Sequence, residues 1–202
     1  MSLGLITSAA YINQEMAAEF GALPPAFLPL GNARLFTLQA ALLRNVSDRV
    51  VLSLPQSFHI PPHDVQLLEE LGIATVRVPD GLSLAQSVML ALAQCLGSDE
   101  QLYILHGDTL LSDLRQFPAD GLSVHEGGHP YPWARVEDCH PLRASPVEER
   151  DPSAQPLVSG MFAFSHGTDF LLCLSEARDD FLAAINLYAG RHPRFDKVED
   201  CG

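Results

Sequence analysis

Asp108 stands just past the end of an apolar run, Leu102-Tyr-Ile-Leu-His-Gly-Asp-Thr109, in which the hydrophobic residues stop abruptly before Gly107. Ligands of open α/β sheets gather outside the carboxyl ends of the strands, so an acid placed there can hold a divalent cation against phosphate oxygens. A turn residue after a buried strand has the same local sequence, because Gly-Asp pairs are frequent in turns. The surrounding elements must separate these readings.

Other clusters of reactive side chains carry less. Cys95, Cys139, Cys173 and Cys201 are far apart and show no Cys-x-x-Cys spacing. Several sit in apolar, helix-like runs, so they read as reduced and mostly buried thiols. His125, His129, Cys139 and His140 match no closed tetrahedral zinc pattern. In His59-Ile-Pro-Pro-His63 the prolines prevent the helical turn that would align the two imidazoles.

The elements that position Asp108 alternate along the first ~115 residues. Leu3 to Ile6 predicts a buried first strand that breaks into the small residues Thr7-Ser-Ala-Ala10. A proline-punctuated loop follows, and then a helix with Leu35, Leu38, Leu42 and Leu43 on one face and Asn32 as its cap. Arg49 to Leu54 and Ala74 to Val78 read as strands. Helices are predicted over Pro62 to Leu71, stopping at Gly72, and from Ser83 to Leu96. Leu102 to Leu105 is then the fourth strand.

This order predicts a three-layer α/β/α architecture around a mostly parallel central sheet with right-handed crossovers. From Gly121 to Phe164 the pattern changes to short extended runs at Leu122 to His125, Trp133 to Val136 and Leu157 to Phe164, read as a small antiparallel extension. The stretch 147–155 reads as an exposed loop. Two helices, at 168–176 and 179–189, and a last strand at 195–198 complete the chain.

With 202 residues, 47% of them hydrophobic and 18% charged, the composition suits one folded domain over 1–202, which could be the N-terminal part of a longer chain. A net charge of −13 and the absence of a basic stripe argue against a nucleic-acid partner. No apolar run approaches a membrane span, and the start lacks a basic leader, so a cytoplasmic setting is expected. A nucleotide remains compatible with this charge if a metal ion and backbone N–H groups receive its phosphates.

With Gly107-Asp108-Thr109 after the fourth strand, the chain resembles the nucleotidyltransferases that make activated sugars and alcohols, the sugar-nucleotide pyrophosphorylases of GT-A-like fold. Leu23-Pro-Pro-Ala-Phe-Leu-Pro-Leu-Gly31 is similar to the family's Pro-Lys segment before Leu-x-Pro. Gly81-Leu-Ser-Leu-Ala-Gln-Ser87 resembles its small-residue loop near base and ribose. Val158-Ser-Gly-Met-Phe-Ala-Phe164 resembles its Ser-Gly-Ile-Tyr-Val-Phe strand, and Phe195-Asp-Lys-Val-Glu-Asp200 the approach to a late metal-binding acid.

The resemblance implies transfer of a nucleotidyl group from a nucleoside triphosphate to a phosphorylated sugar or alcohol, with release of pyrophosphate. The expected setting is sugar-nucleotide or surface-polysaccharide supply. Asp108 and Asp200, or Asp196 in place of the latter, would hold Mg²⁺. Ser8, Ala9, Ala10 and Gly107 would face the nucleotide, Ser83 and Ser87 the ribose or base, and Gly160 the acceptor. Ser83 and Ser87 equally suit helix-start caps, and Gly160 a packing glycine.

Two departures bear on activity. The family's glycine-rich phosphate loop is replaced by Ser8-Ala-Ala-Tyr-Ile-Asn-Gln-Glu-Met16, and only glycine lets successive N–H groups close around a triphosphate. Ala26 occupies the position of the Pro-Lys lysine, whose ammonium would offset transition-state charge. Arg34 is the candidate substitute, reaching the same cleft from the following helix. A catalytically degenerate regulatory domain of this fold is therefore one alternative. The other is a GT-A glycosyltransferase using a nucleoside diphosphate-sugar, although those commonly have Asp-x-Asp.

Overall fold

A computed structural model describes residues 1–125, 133–137, 139–147 and 156–199. The elements are β1 (Ser2–Thr7), α1 (Gln14–Phe20), a 3-10 turn at Pro25–Phe27, the hairpin β2 (Pro29–Leu30) and β3 (Ala33–Arg34), α2 (Leu35–Leu43), β4 (Arg49–Pro55), α3 (Pro62–Glu70), β5 (Ala74–Val78), α4 (Leu84–Cys95), β6 (Gln101–His106), β7 (Gly121–His125), β8 (Ala134–Glu137), β9 (Arg143–Pro146), β10 (Leu157–Phe164), α5 (Gly167–Ala177), α6 (Phe181–Arg191) and β11 (Asp196–Glu199).

The main sheet runs β11-β7-β10-β6-β1-β4-β5. β6, β1, β4 and β5 are parallel, and β10 runs antiparallel between β6 and β7. β8 and β9 add the expected antiparallel extension beyond β10. Both faces of the sheet are covered. Leu3, Leu5, Leu102 and Ile104 pack toward α4, α5 and α6, while Ile6, Leu52, Leu54 and Leu105 pack toward α2 and the 3-10 turn. That two-sided burial explains the unbroken apolar runs of β1 and β6, as expected for parallel strands with helices on each face.

Three local expectations change. Asn32 does not cap α2: it lies in the β2–β3 hairpin turn beside Gly31, whose φ is +59°, and α2 begins at Leu35 after Arg34 with no side-chain cap. Helix α1 escapes pattern reading because it is only seven residues long and none of them is buried; Asn13 Oδ1 caps it by accepting the Met16 N–H. Cys139 is exposed rather than buried, whereas Cys173 is buried. Most of the 147–155 loop, His129, Asp200 and Cys201 lie outside the described residues, within which no cluster of three His, Cys, Asp or Glu could hold a metal.

At the end of the sheet opposite Asp108, Asp120 ties the last two helices to β7. It accepts bonds from the Ser165 N–H at 2.8 Å, the Ser165 hydroxyl at 2.6 Å and the Tyr188 hydroxyl at 2.8 Å. Burial pushes this carboxyl up, but the bonds from Ser165 and Tyr188 outweigh it and hold it below the usual range. A depressed carboxylate contributes stability that is present above its unfolded value, about pH 4, and lost as pH falls through its folded value. Asp120→Asn should therefore lower stability by about 1–2 kcal/mol near neutrality. It should also flatten the acid dependence in urea unfolding, with the gap to the native chain narrowing under acid conditions.

Candidate active site at the carboxyl edge of the sheet

β1 and β6 end side by side, and Gly107 makes the junction possible. Its N–H donates to the Thr7 carbonyl at 2.9 Å. A Cβ on Gly107 would lie 2.6 Å from that carbonyl oxygen and 3.0 Å from Ser8 Cβ, so only glycine fits. The turn beyond it is braced from α2: Gln39, fully buried, donates through Nε2 to the His106 carbonyl at 2.9 Å and the Thr109 carbonyl at 2.8 Å. The Thr109 N–H closes the turn on the His106 carbonyl at 3.0 Å. Asp108 thus projects, exposed, from a backbone held at both ends, with only a 3.4 Å contact from the Thr109 hydroxyl.

β10 reaches the same edge through an irregularity. Its register with β7 shifts between Val158 and Phe162, and Gly160 has φ +99°. A Cβ there would lie 2.6 Å from Thr109 Oγ1 and 3.3 Å from His106, so Gly160 lets β10 press against the Asp108 turn. Gly160→Ala should combine backbone strain with overpacking and cost about 2–4 kcal/mol in chemical denaturation. Retention of full stability would mean that the turn yields at this contact. The Ser123 hydroxyl takes up the irregularity, accepting from the Met161 N–H at 3.0 Å and from the Ser159 hydroxyl at 2.7 Å.

Asp108, His106, Thr109, His125, Trp133 and Ser159 border a cavity of about 860 Å³. His106 packs against Trp133 and Phe162, each with centroids 5.3 Å away. Burial pushes its imidazole down to about 4 against the opposing pull of Asp108, so it is neutral near pH 7. Its Nε2 is buried with no hydrogen-bond partner.

The other sequence-derived candidates take varied places. Ser8 is buried; its hydroxyl accepts the Ala26 N–H at 3.0 Å and its own N–H donates to Ser53 Oγ at 3.2 Å, so it knots β1 to β4 and the 3-10 turn. Ala9 packs partly against the core and Ala10 is exposed. Ser83 closes a reciprocal capping box with Gln86 at the start of α4, and Ser87 lies buried one turn on. Arg34, expected to turn toward the cleft, is instead held by Asp64 through two bonds of 3.0 Å and donates to the Phe27 carbonyl at 3.0 Å. Ala26 is fully buried, so the chain carries no side-chain cation from that position into the cleft. Asp196, expected as an alternative to Asp200, opens β11 in register with Gly121 at the end of the sheet away from Asp108 and accepts the Lys197 N–H, so it does not join that acid.

Sequence reading missed Gln39, His106, Trp133 and Ser159. Gln39 carried a signal, since an amide amid the apolar residues of α2 requires buried partners. His106 and Trp133 carried none, because strands distant in sequence bring them together.

For Mg²⁺, the described residues offer the Asp108 carboxylate, which is exposed, with the Thr109 hydroxyl 3.4 Å away. That donor set fits, because Mg²⁺ is commonly held by one or two carboxylates together with substrate phosphates and waters.

No family model and no curated protein matches the chain. Solved structures do share its fold. A Bacillus anthracis protein assigned as a glucose-1-phosphate thymidylyltransferase, in complex with a sucrose, superposes with a TM-score of 0.74 at 16% identity, covering 100% of this chain and 88% of its own. The inositol-1-phosphate CTP transferase of T. maritima gives 0.69 at 16% identity over 99% and 85%. A UDP-glucose pyrophosphorylase complexed with UDP-glucose gives 0.68 at 14% identity over 97% and 89%. The chain therefore has the nucleotidyltransferase-type α/β fold over essentially its whole length.

Proposed function

We propose that this chain is a divergent member of the sugar-nucleotide nucleotidyltransferases, one domain over 1–202 acting in the cytoplasm in sugar-nucleotide or surface-polysaccharide supply. An acceptor phosphate oxygen attacks the α-phosphorus of a nucleoside triphosphate; the new P–O bond forms as the α–β bridge breaks and pyrophosphate leaves. The observation that carries this reading is Asp108, presented at the carboxyl edge on a turn clamped by Gln39 and pressed by Gly160. The resemblance in fold to solved nucleotidyltransferases supports it.

In this reading Asp108 holds Mg²⁺, with Asp200 as the second carboxylate; Asp196 is not a candidate, because it pairs with Gly121 at the opposite end of the sheet. The metal offsets charge on the phosphates when bound. Ala9, Ala10 and Gly107 line the nucleotide side, Ser83 and Ser87 position α4 beside ribose and base, and Gly160 borders the acceptor. Such chemistry asks the protein for in-line positioning and charge stabilisation.

One observation favours a second reading, a domain that binds nucleotide without turning it over. The lysine position is a buried alanine, and α1 follows β1 where the family has its phosphate loop. Thermal shift with CTP, UTP, GTP and dTTP in Mg²⁺ tests binding, and pyrophosphate release in the presence of sugar 1-phosphates tests turnover. Binding with turnover establishes the enzyme, and binding alone establishes the degenerate domain. No shift with any triphosphate overturns both.

A further inference from the structure

The Asp108 carboxylate takes its position from the backbone rather than from its own contacts. Among the described residues its hydrogen-bond contact is the Thr109 hydroxyl at 3.4 Å, and that hydroxyl also donates to the Ser159 carbonyl at 3.2 Å. The backbone is gripped from α2. Gln39 Nε2 donates to the carbonyls on both sides of the acid, His106 at 2.9 Å and Thr109 at 2.8 Å. Both protons of one amide are therefore spent on fixing the two peptide groups that flank Asp108.

The same amide leaves its Oε1 buried with no partner. A buried acceptor without a donor costs free energy. Fastening α2 to the sheet does not require that cost, because Leu35, Phe36, Ala40 and Leu43 already bury this face of the helix. A methionine of similar shape would pack there without a bare oxygen. What the amide alone supplies is a double donor aimed at the Asp108 turn.

We propose that Gln39 is a positioning residue that holds the Asp108 turn in the geometry a small divalent cation demands, and so sets the selectivity of this site for Mg²⁺ over Ca²⁺. This rests on reading Asp108 as the metal ligand. The physical reason is stiffness. Mg²⁺ requires near-ideal octahedral geometry at short distance, whereas Ca²⁺ accepts longer bonds and varied ligand numbers. A carboxylate on a turn free to drift therefore loses Mg²⁺ before it loses Ca²⁺. Groups that orient a ligand from behind typically change metal affinity by about 10- to 100-fold.

Titration of the full chain with Mn²⁺, read by electron paramagnetic resonance, should show a bound ion that Asp108→Asn removes. In competition with that ion, Gln39→Met should weaken Mg²⁺ by about tenfold or more and Ca²⁺ by about threefold or less. A loss of folded protein would lower both alike. Asp120→Asn, destabilised at the other end of the sheet, should keep the native ratio of Mg²⁺ to Ca²⁺ affinity.

The native chain gives a second reading that does not depend on a variant folding. Coupling is reciprocal, so if Gln39 strengthens Mg²⁺ binding, bound Mg²⁺ must strengthen the hold of Gln39 on the turn. By nuclear magnetic resonance, the side-chain amide protons of Gln39 should exchange with solvent about tenfold more slowly in saturating Mg²⁺, and unchanged in Asp108→Asn. An unaltered ratio of Mg²⁺ to Ca²⁺ affinity in folded Gln39→Met, or amide exchange indifferent to Mg²⁺, overturns the positioning role while Asp108 keeps its ion. If no bound ion depends on Asp108, the metal reading falls and this proposal with it.

Discussion

Asp108→Asn is expected to abolish the Mg²⁺-dependent stabilisation of this protein by nucleoside triphosphate while leaving its fold intact. At a ligand concentration 100 times Kd, the native chain should gain about 2.7 kcal/mol of apparent stability, and the variant almost none. The substitution removes charge but keeps shape, and the side chain is exposed with a single 3.4 Å contact from Thr109. Substitutions of that kind usually change stability by no more than about 0.5 kcal/mol. If the chain turns over, pyrophosphate release should fall by about 10²- to 10³-fold, the cost of removing one charge-stabilising group. Thermal shift with and without Mg²⁺ checks binding. Stabilisation that survives in the variant would reduce Asp108 to a turn residue.

The second large effect concerns stability and separates a brace from a catalytic cation. Arg34→Ala should destabilise the protein by about 3–5 kcal/mol, because Asp64 is fully buried and would lose its bidentate partner. Asp64 lies in the first turn of α3, so the pair joins that helix to β3 and, through the Phe27 carbonyl, to the 3-10 turn. Replacing both residues by apolar ones, Arg34→Met with Asp64→Leu, should restore most of the loss, since a well-packed apolar pair often matches a buried ion pair. Urea unfolding of the single and double variants reads this directly. If Arg34 only positions its neighbours, the double variant should also bind Mg²⁺ and triphosphate like the native chain. A double variant that is stable but no longer binds would place the guanidinium in the site.

These two residues show why parts of the site were legible in sequence and parts were not. Asp108 could be located because a buried strand ending in glycine leaves a local signature, and the following acid must emerge at the strand's carboxyl end. Arg34 could not be assigned in that way. A guanidinium on a long stem reaches many partners, and Asp64 lies 30 residues on, in helix α3. Ser8 shows the same limit: its place after β1 suggested a nucleotide contact, yet its hydroxyl is spent on the Ala26 N–H.

Local sequence determined the parallel α/β core, because covered strands and capped helices write their periods into a few adjacent residues. It also placed an acid at the sheet edge and showed that the chain has neither the glycine-rich loop nor the Pro-Lys lysine of the family it resembles. Tertiary structure alone decided what surrounds that acid. Gln39 from α2 clamps its turn, Gly160 from β10 presses on it, and Trp133 with His106 makes one wall aromatic. These groups are separated by tens of residues and meet only because the strand order sets β10 antiparallel beside β6. The choice of partner for a buried polar group is a long-range competition for hydrogen bonds, which no short stretch of sequence encodes.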